Sequence, residues 1–290
     1  MSASPITLQT VRDLTPLIQK HSAGAEAARK MAPEVMEALV DAGILRMWIP
    51  QAFGGSEMDP NAAMDIMEAF AGVDPAAGWI VSNCVFISIV GQFLEAPVIE
   101  QILGNPKAVT CGTFVPPGAA RAVADGYSIT GNWSFGSACH YATSLVMLTL
   151  LTNDDGSLVM RDGGPVSVVA FASAKDATIH NTWHVLGLRG TGSNNFSFDA
   201  HQIPANQTYI LGAWEPRLPA FSGPLYRMGV WVDTLRIARV GVGIAQGALD
   251  DFIELALAKT PAYTTTLTAD RSTVQERVAN AQALIEAGRN

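Results

Sequence analysis

The chain has 290 residues, of which 49% are hydrophobic and 15% charged, with a net charge of -8 at pH 7. That balance supports a substantial buried core and excludes a disordered chain. It contains no basic run, which argues against nucleic acid as a partner, because such binding rests on clustered Lys and Arg. Cys84, Cys111 and Cys139 show no metal spacing and cannot all pair, so a reducing, cytoplasmic setting is expected and no metal site is assigned. Met1 to Thr10 lacks a basic segment followed by an apolar core, so no signal peptide is expected.

Residues 7 to 95 read as helices. Leu8, Val11, Leu14 and Ile18 keep a helical stripe that Pro16 is expected to interrupt. Pro33 suits a first helical turn, and Gly43 closes that helix. The run Trp79 to Leu94 is the most apolar stretch, yet it is shorter than the roughly 20 residues of a bilayer span. It also contains Ser82, Asn83, Ser88 and Gln92, so a buried helix is expected and no membrane partner.

From about Ala108 to Ile210 the pattern turns to strands: Ser144 to Leu151, Val166 to Ala172, Ile179 to Leu186 and Asn195 to Phe198. Asp-Gly pairs at 125-126, 155-156 and 162-163 mark hairpin turns. After a Pro- and Gly-rich linker, helical periodicity returns from Leu225 to Lys259, with small residues at Gly241, Gly243, Ala245 and Gly247. A last helix is expected from Thr273 to Arg289. The fold class predicted is α+β. It comprises an N-terminal helical domain (1-107), a central antiparallel β-barrel or sandwich (108-213) and a C-terminal helical domain (214-290).

The strand that opens at Gly126 loses its alternation at Trp133. An indole, a phenyl ring and two serine hydroxyls follow within five residues, with Gly136 beside Ser137. Such a group suits a planar heteroaromatic ligand, and it equally suits a strand end with a core tryptophan. Arg189-Gly190-Thr191-Gly192-Ser193 fits either an anion-binding nest or a plain turn between strands. Arg236 and Arg239 lie on an apolar helix. They suit a phosphate or ion pairing, and spacing favours Asp233 with Arg236. No histidine sits in a metal-ligand pattern.

Gly131-Asn132-Trp133-Ser134-Phe135-Gly136-Ser137-Ala138 resembles the G-x-W-x-F-x-S-G segment of flavin-dependent monooxygenases built on the acyl-CoA dehydrogenase fold. The stretch from Trp183 to Ser193 is similar to their W-x-V-x-G-x-R-G-T-G-S segment. Trp48 to Gly55 is similar to the P-x-x-Y/F-G-G turn of the superfamily. The resemblance implies a flavin between the β-domain and the C-terminal helices, reduced FMN or FAD delivered by a separate flavin reductase. Trp133 would cover part of the ring, and Phe135, Gly136 and Ser137 would sit at its reactive edge. Thr113 and Phe114, in the loop to Gly118, would face the pyrimidine side, and Thr191 and Ser193 would meet the flavin phosphate. That loop also suits an ordinary Pro-Gly turn.

On this resemblance the enzyme is an oxidoreductase that uses reduced flavin and O2 to oxygenate an aromatic or other electron-rich small molecule. Ser137 is the candidate catalytic hydrogen-bonding group. The alternative is an acyl-CoA dehydrogenase with Asp233 near the place of the base, one methylene shorter than the usual Glu. A non-catalytic fragment is the third reading. Relatives often carry a His on the helix matching Trp79 to Leu94, which has none here, and a catalytic His in later helices, a region before which this chain ends. The resemblance therefore implies a C-terminally truncated member of a homotetrameric family, with an incomplete last bundle.

Overall fold

The computed structural model describes residues 5–212 and 218–289, apart from the side chains of Pro116, Pro117 and Val230. Five helices come first: α1 (Leu8–Ala28), α2 (Pro33–Asp41), α3 (Pro60–Val73), α4 (Pro75–Ile89) and α5 (Ala96–Leu103). Pro16 lies inside α1 without ending it, contrary to expectation. Val11, Ile18 and Ala25 of α1 are buried in the core, and that burial outweighs the one backbone bond a proline removes.

Asp74 caps α4 by accepting from Ala77 N–H at 2.9 Å, and Pro75 takes the first turn, where its missing N–H is not needed. The segment Pro75–Phe93 is long and apolar enough to cross a membrane, but it is mostly enclosed by the rest of the chain. Ile80, Val81, Cys84 and Val85 are all buried, so α4 is a core helix.

The strands are β1 (Thr110–Val123), β2 (Gly126–Gly136), β3 (Ser144–Thr152), β4 (Met160–Arg161), β5 (Gly164–Pro165), β6 (Ser167–Ser173), β7 (Thr178–His180), β8 (Asn194–Pro204) and β9 (Thr208–Ile210). Seven of them form one sheet in the order β7-β8-β2-β1-β3-β6-β9, and β4 and β5 form a separate ribbon. The sheet is mixed, which corrects the antiparallel expectation: β1 and β3 run parallel. The Asp-Gly turns specify local reversals, such as the one between β1 and β2. Which strand lies on the far side of β1 is a long-range choice that no turn encodes.

β7 stops at His180, well short of Leu186. The side-chain oxygen of Asn194 takes the N–H groups of Thr182 (2.9 Å) and Trp183 (3.0 Å), so a side chain replaces the ladder there.

Helices resume with α6 (Pro224–Arg227), α7 (Val230–Ala258) and α8 (Ser272–Arg289). The boundary expected at 213/214 lies outside the described residues. Gly229, at φ 56, breaks the expected helix before α7 begins. α7 crosses α3 at very short range, because a side chain on Gly243 or Gly247 would meet α3 backbone. An added Cβ would stand 2.2 Å from Glu68 O and 2.3 Å from Gly72 O, respectively. Gly241, two residues before Gly243 and on another side of the helix, has nothing within 4 Å. Two substitutions of opposite sign follow. Gly247→Ala should destabilise by roughly 1–3 kcal/mol through overpacking. Gly241→Ala should stabilise by about 0.4–1 kcal/mol by lowering unfolded-chain entropy. Urea unfolding of both variants checks the pair, and equal signs would contradict this crossing.

Candidate active site

The candidate site is built where β2 loses register. Trp133 pairs with Phe196 of β8, but Gly136 pairs with Asn194, so β2 spends one more residue than its partner. That is a β-bulge, which turns a side chain out of its normal alternation. The residue turned out is Phe135, at φ 64 and 58% exposed, its ring set edge-on to Trp183 at 6.2 Å. A bulky residue in the left-handed region is strained, and such strain collects at functional positions. Gly136 must be glycine, since a Cβ there would sit 2.8 Å from the Phe196 ring and 2.9 Å from Asn194 O.

Trp133 does the opposite of what the resemblance implies. It is 0% exposed, it stacks on Phe196 at 5.7 Å, and its indole N–H donates to Leu148 O at 2.7 Å. Gly118 leaves room for the indole, because a Cβ there would stand 2.3 Å from it. With Phe196 on the ring and strand backbone against it, Trp133 is a core residue and offers no face to a flavin.

Ser137, Thr191 and Ser193 are buried and bonded in series. Trp79 N–H of α4 donates to Ser137 Oγ at 3.0 Å. Ser137 and Ser193 hydroxyls lie 2.8 Å apart, and Ser193 and Thr191 hydroxyls 2.6 Å apart. Thr191 donates to Leu188 O at 2.8 Å. Each hydroxyl has one proton. Thr191 spends its proton on Leu188, so Ser193 must donate to Thr191, and Ser137 must then donate to Ser193. Every proton points the same way, from α4 to the Leu188 carbonyl. The Ser137 proton is therefore committed inside the protein. In this arrangement Ser137 positions Trp79 and has no donor left for a reacting group.

The Arg189–Thr191 turn is likewise closed. Gly190 N–H is answered by the Glu26 carboxylate at 3.2 Å, Thr191 N–H by Leu188 O and Gly192 N–H by Arg189 O. With an internal carboxylate in place, Thr191 and Ser193 do not form a phosphate nest. The turn joins the β-domain to α1. His140 falls nearby and is kept neutral: Asn194, its oxygen held by the Thr182 and Trp183 N–H groups, donates its amide N–H to His140 Nε2 at 3.0 Å. Burial, and then Lys30, push the His140 pKa down in the same direction.

The open surface follows one face of α4. Trp79, Asn83 and Phe86 are half-buried and stand four and three residues apart, a stripe about 10 Å long. At its Trp79 end lies the hydroxyl chain. At its Phe86 end lies a cavity of about 560 Å³, lined by Phe114, Tyr209, Trp231, Gln92 and Asp233 among others. Thr113 turns its hydroxyl onto Val115 N–H at 3.2 Å, while Phe114 reaches the cavity. Of the residues expected around the flavin, then, Phe114 and Phe135 are at open surface. Gly136 shapes the bulge, and Trp133, Ser137, Thr191 and Ser193 are interior.

Asp233 pairs through one carboxylate oxygen with Arg236, three residues on, and Arg236 also donates to Ser82 at 3.0 Å over the Phe86 ring. Arg239 pairs with Asp65 and Glu68. Sequence reasoning missed Trp79 and Gln92 as site residues. Their signal was present as polar interruptions and a ring at helical spacing within an apolar helix. The half-exposed Trp79 indole, the Asn83 amide and the Phe135 and Trp183 rings suit a flat heteroaromatic group with polar edges, as a flavin is.

Known proteins with this arrangement are consistent. Residues 8–95 match the acyl-CoA dehydrogenase N-terminal domain, and residues 235–290 match the acyl-CoA dehydrogenase C-terminal domain. The chain is 28% identical to the flavin-dependent monooxygenase oxygenase subunit HsaA of Rhodococcus jostii over 85% of its length. It is also 28% identical to indole-3-acetate monooxygenase of Acinetobacter baumannii, over 90%. It spans 64% of the length of each of these relatives. The crystal structure of 3-HSA hydroxylase from Rhodococcus superposes with a TM-score of 0.85 at 25% identity, covering 96% of this chain and 72% of that one. The chain is thus similar to the acyl-CoA dehydrogenase domains at both ends and to flavin-dependent monooxygenases over most of its length.

The hydroxyl chain makes a signed prediction. Ser137→Ala leaves the Trp79 N–H without its acceptor and the Ser193 oxygen without its donor and should cost about 1–3 kcal/mol. Ser193→Ala should cost a similar amount, and the double variant clearly less than the sum. Chemical denaturation of the four proteins measures this coupling, and additive losses would show that the two hydroxyls do not share one chain.

Proposed function

We propose that this chain is the oxygenase part of a flavin-dependent monooxygenase, using reduced FMN or FAD and O2 to oxygenate an aromatic or other electron-rich small molecule. The observation that carries this reading is the row of half-buried side chains on α4, Trp79, Asn83 and Phe86, which starts beside Ser137 and ends at an aromatic-lined cavity. Asp233 is the acid among the described lining residues, one methylene shorter than the usual Glu and engaged at one oxygen by Arg236, which disfavours α-proton abstraction as the chemistry of this cavity. A reduced flavin, when bound, would supply the electrons that activate O2. Phe135 and Trp183 would hold its flat ring, Trp79 and Asn83 would border it, and Phe114, Phe93 and Tyr209 would keep water from the substrate side.

Support for a reduced flavin and a separate reductase comes from a relative 26% identical over 96% of the chain, the oxygenase component of an FADH(2)-dependent resorcinol hydroxylase of Rhizobium. Three buried free cysteines support a cytoplasmic setting. Leu235, Leu255 and Leu257, exposed along α7, support assembly into a homotetramer.

Incubating the protein with photoreduced FMN, ¹⁸O2 and resorcinol tests the reaction. One labelled oxygen atom in the product is expected, and flavin reduction by an acyl thioester without oxygenation would overturn it. Phe135→Ala should weaken reduced FMN binding by roughly 1–3 kcal/mol, the range for a ring stacked on a planar base. Equal affinities in anaerobic titration would remove Phe135 from the ring face.

A further inference from the structure

A flavin nucleotide carries a phosphate, and the closed turn at Thr191 and Ser193 does not receive it. Arg236 and Arg239, the arginines of α7, are spent on Asp233, Asp65 and Glu68. Arg29 is placed differently. It caps α1 at φ 55, and its backbone N–H closes the helix on Ala25 O and Glu26 O. Its side chain reaches the segment that holds Trp183. Nη1 donates to Trp183 O at 3.3 Å and lies 2.8 and 2.7 Å from Nδ1 and Nε2 of His184. A guanidinium has five N–H donors, and those on Nε and Nη2 have no partner among the described residues. No ion pair among the described residues takes Arg29, and Glu26, three residues back, gives its carboxylate to Gly190 N–H. Lys30 follows, with its Nζ 5.0 Å from the centre of the Tyr141 ring. In a chain of net charge -8, these two cations make a local positive field beside the Phe135–Trp183 edge.

We propose that Arg29 holds the phosphate of a flavin whose ring lies at Phe135 and Trp183. The inference rests on the oxygenase reading above, and the phosphate meant is the one on the ribityl chain, which FMN and FAD share. Arg29 bonds the carbonyl of the residue whose ring forms the aromatic edge, so one corner of the fold sets both contacts. The open side of the guanidinium, Nε with Nη2, matches two phosphate oxygens. Nη1 donates to whichever His184 nitrogen accepts, which fixes the plane of the fork. Glycine serves a left-handed cap at less cost than any other residue, so an arginine kept there against strain points to a use for its side chain.

Anaerobic calorimetry with reduced FMN, reduced riboflavin and inorganic phosphate tests this without turnover. Riboflavin has the ring and lacks the phosphate. The native protein should bind reduced FMN at least about tenfold more tightly, the effect of a hydrogen bond to a charged group. Arg29→Gly suits the left-handed backbone and keeps the cap. It should bring FMN down to the affinity of riboflavin and leave riboflavin unchanged. Arg29→Gln, which keeps an amide donor for Trp183 O, gives the same comparison if glycine loosens the loop. Inorganic phosphate should weaken FMN binding to the native protein and leave riboflavin binding unchanged. Equal affinities for the two flavins, binding of neither, or a preference that persists in both variants would overturn the proposal. So would an equal loss of riboflavin binding in the variants, which marks a structural arginine, or phosphate binding that does not compete with FMN. A protein that oxygenates with ¹⁸O2 yet binds FMN and riboflavin equally keeps the reaction and loses the phosphate site, so the two failures are distinct.

Discussion

The hydrogen-bonded series from Trp79 through Ser137, Ser193 and Thr191 to Leu188 O is the constraint on which the site depends. It joins α4, the bulged end of β2 and the turn before β8, three elements far apart in sequence. Because each hydroxyl has one proton, the direction of the series is fixed by its last acceptor, a backbone carbonyl. Buried polar chains of this type are costly when broken and specify one arrangement when complete. Here the arrangement specified is the position of the Trp79 indole, and with it the face of α4 that opens toward the cavity. Gly190 N–H on Glu26 and Ala138 N–H on Thr191 O extend the same anchoring to α1 and to the residue after Ser137.

Packing reaches the same end by pairing large groups with absent ones. Trp133 fits because Gly118 and Gly131 have no side chains where its ring lies. α7 approaches α3 because Gly243 and Gly247 let backbone meet backbone. Interiors packed to this density transmit position faithfully. α3 packs on both α4 and α7, so the helix that presents Trp79 and Phe86 and the one that presents Asp233 and Arg236 are fixed relative to one another. Arg236 completes the link by donating to Ser82 of α4. The Asp233 carboxylate belongs to this structural joint.

What remains open is the aromatic edge of Phe135 and Trp183 and the cavity beyond Phe86. The bulge that exposes Phe135 and the left-handed backbone that goes with it are held by contacts on both sides: Gly136 against Phe196, and Ala138 against Thr191. Strain kept in place by surrounding structure, at an exposed aromatic edge, is the physical mark of a binding surface.

The sequence alone determined the succession of helices, strands and helices, the hairpin turns at Asp-Gly and the close helix crossing at the α7 glycines. All of these are local signals of periodicity, turn chemistry or side-chain size. It also held the family resemblance in the Trp133 and Arg189 segments. It did not determine which residues of those segments face a ligand. Trp133 and Phe135 stand two apart on β2, where a regular strand would point both to one face, and a single extra residue turns Phe135 outward. Whether Thr191 and Ser193 meet a phosphate or each other depends on Glu26 and Trp79, which lie more than a hundred residues away in the chain. The parallel pairing of β1 with β3 is likewise long-range. The polar residues that interrupt the α4 run, Ser82 and Gln92, were legible only as exceptions to an apolar helix. The tertiary structure gave one of them to Arg236 and left the side-chain oxygen of the other buried without a partner, because only there is it settled which buried polar atoms find one.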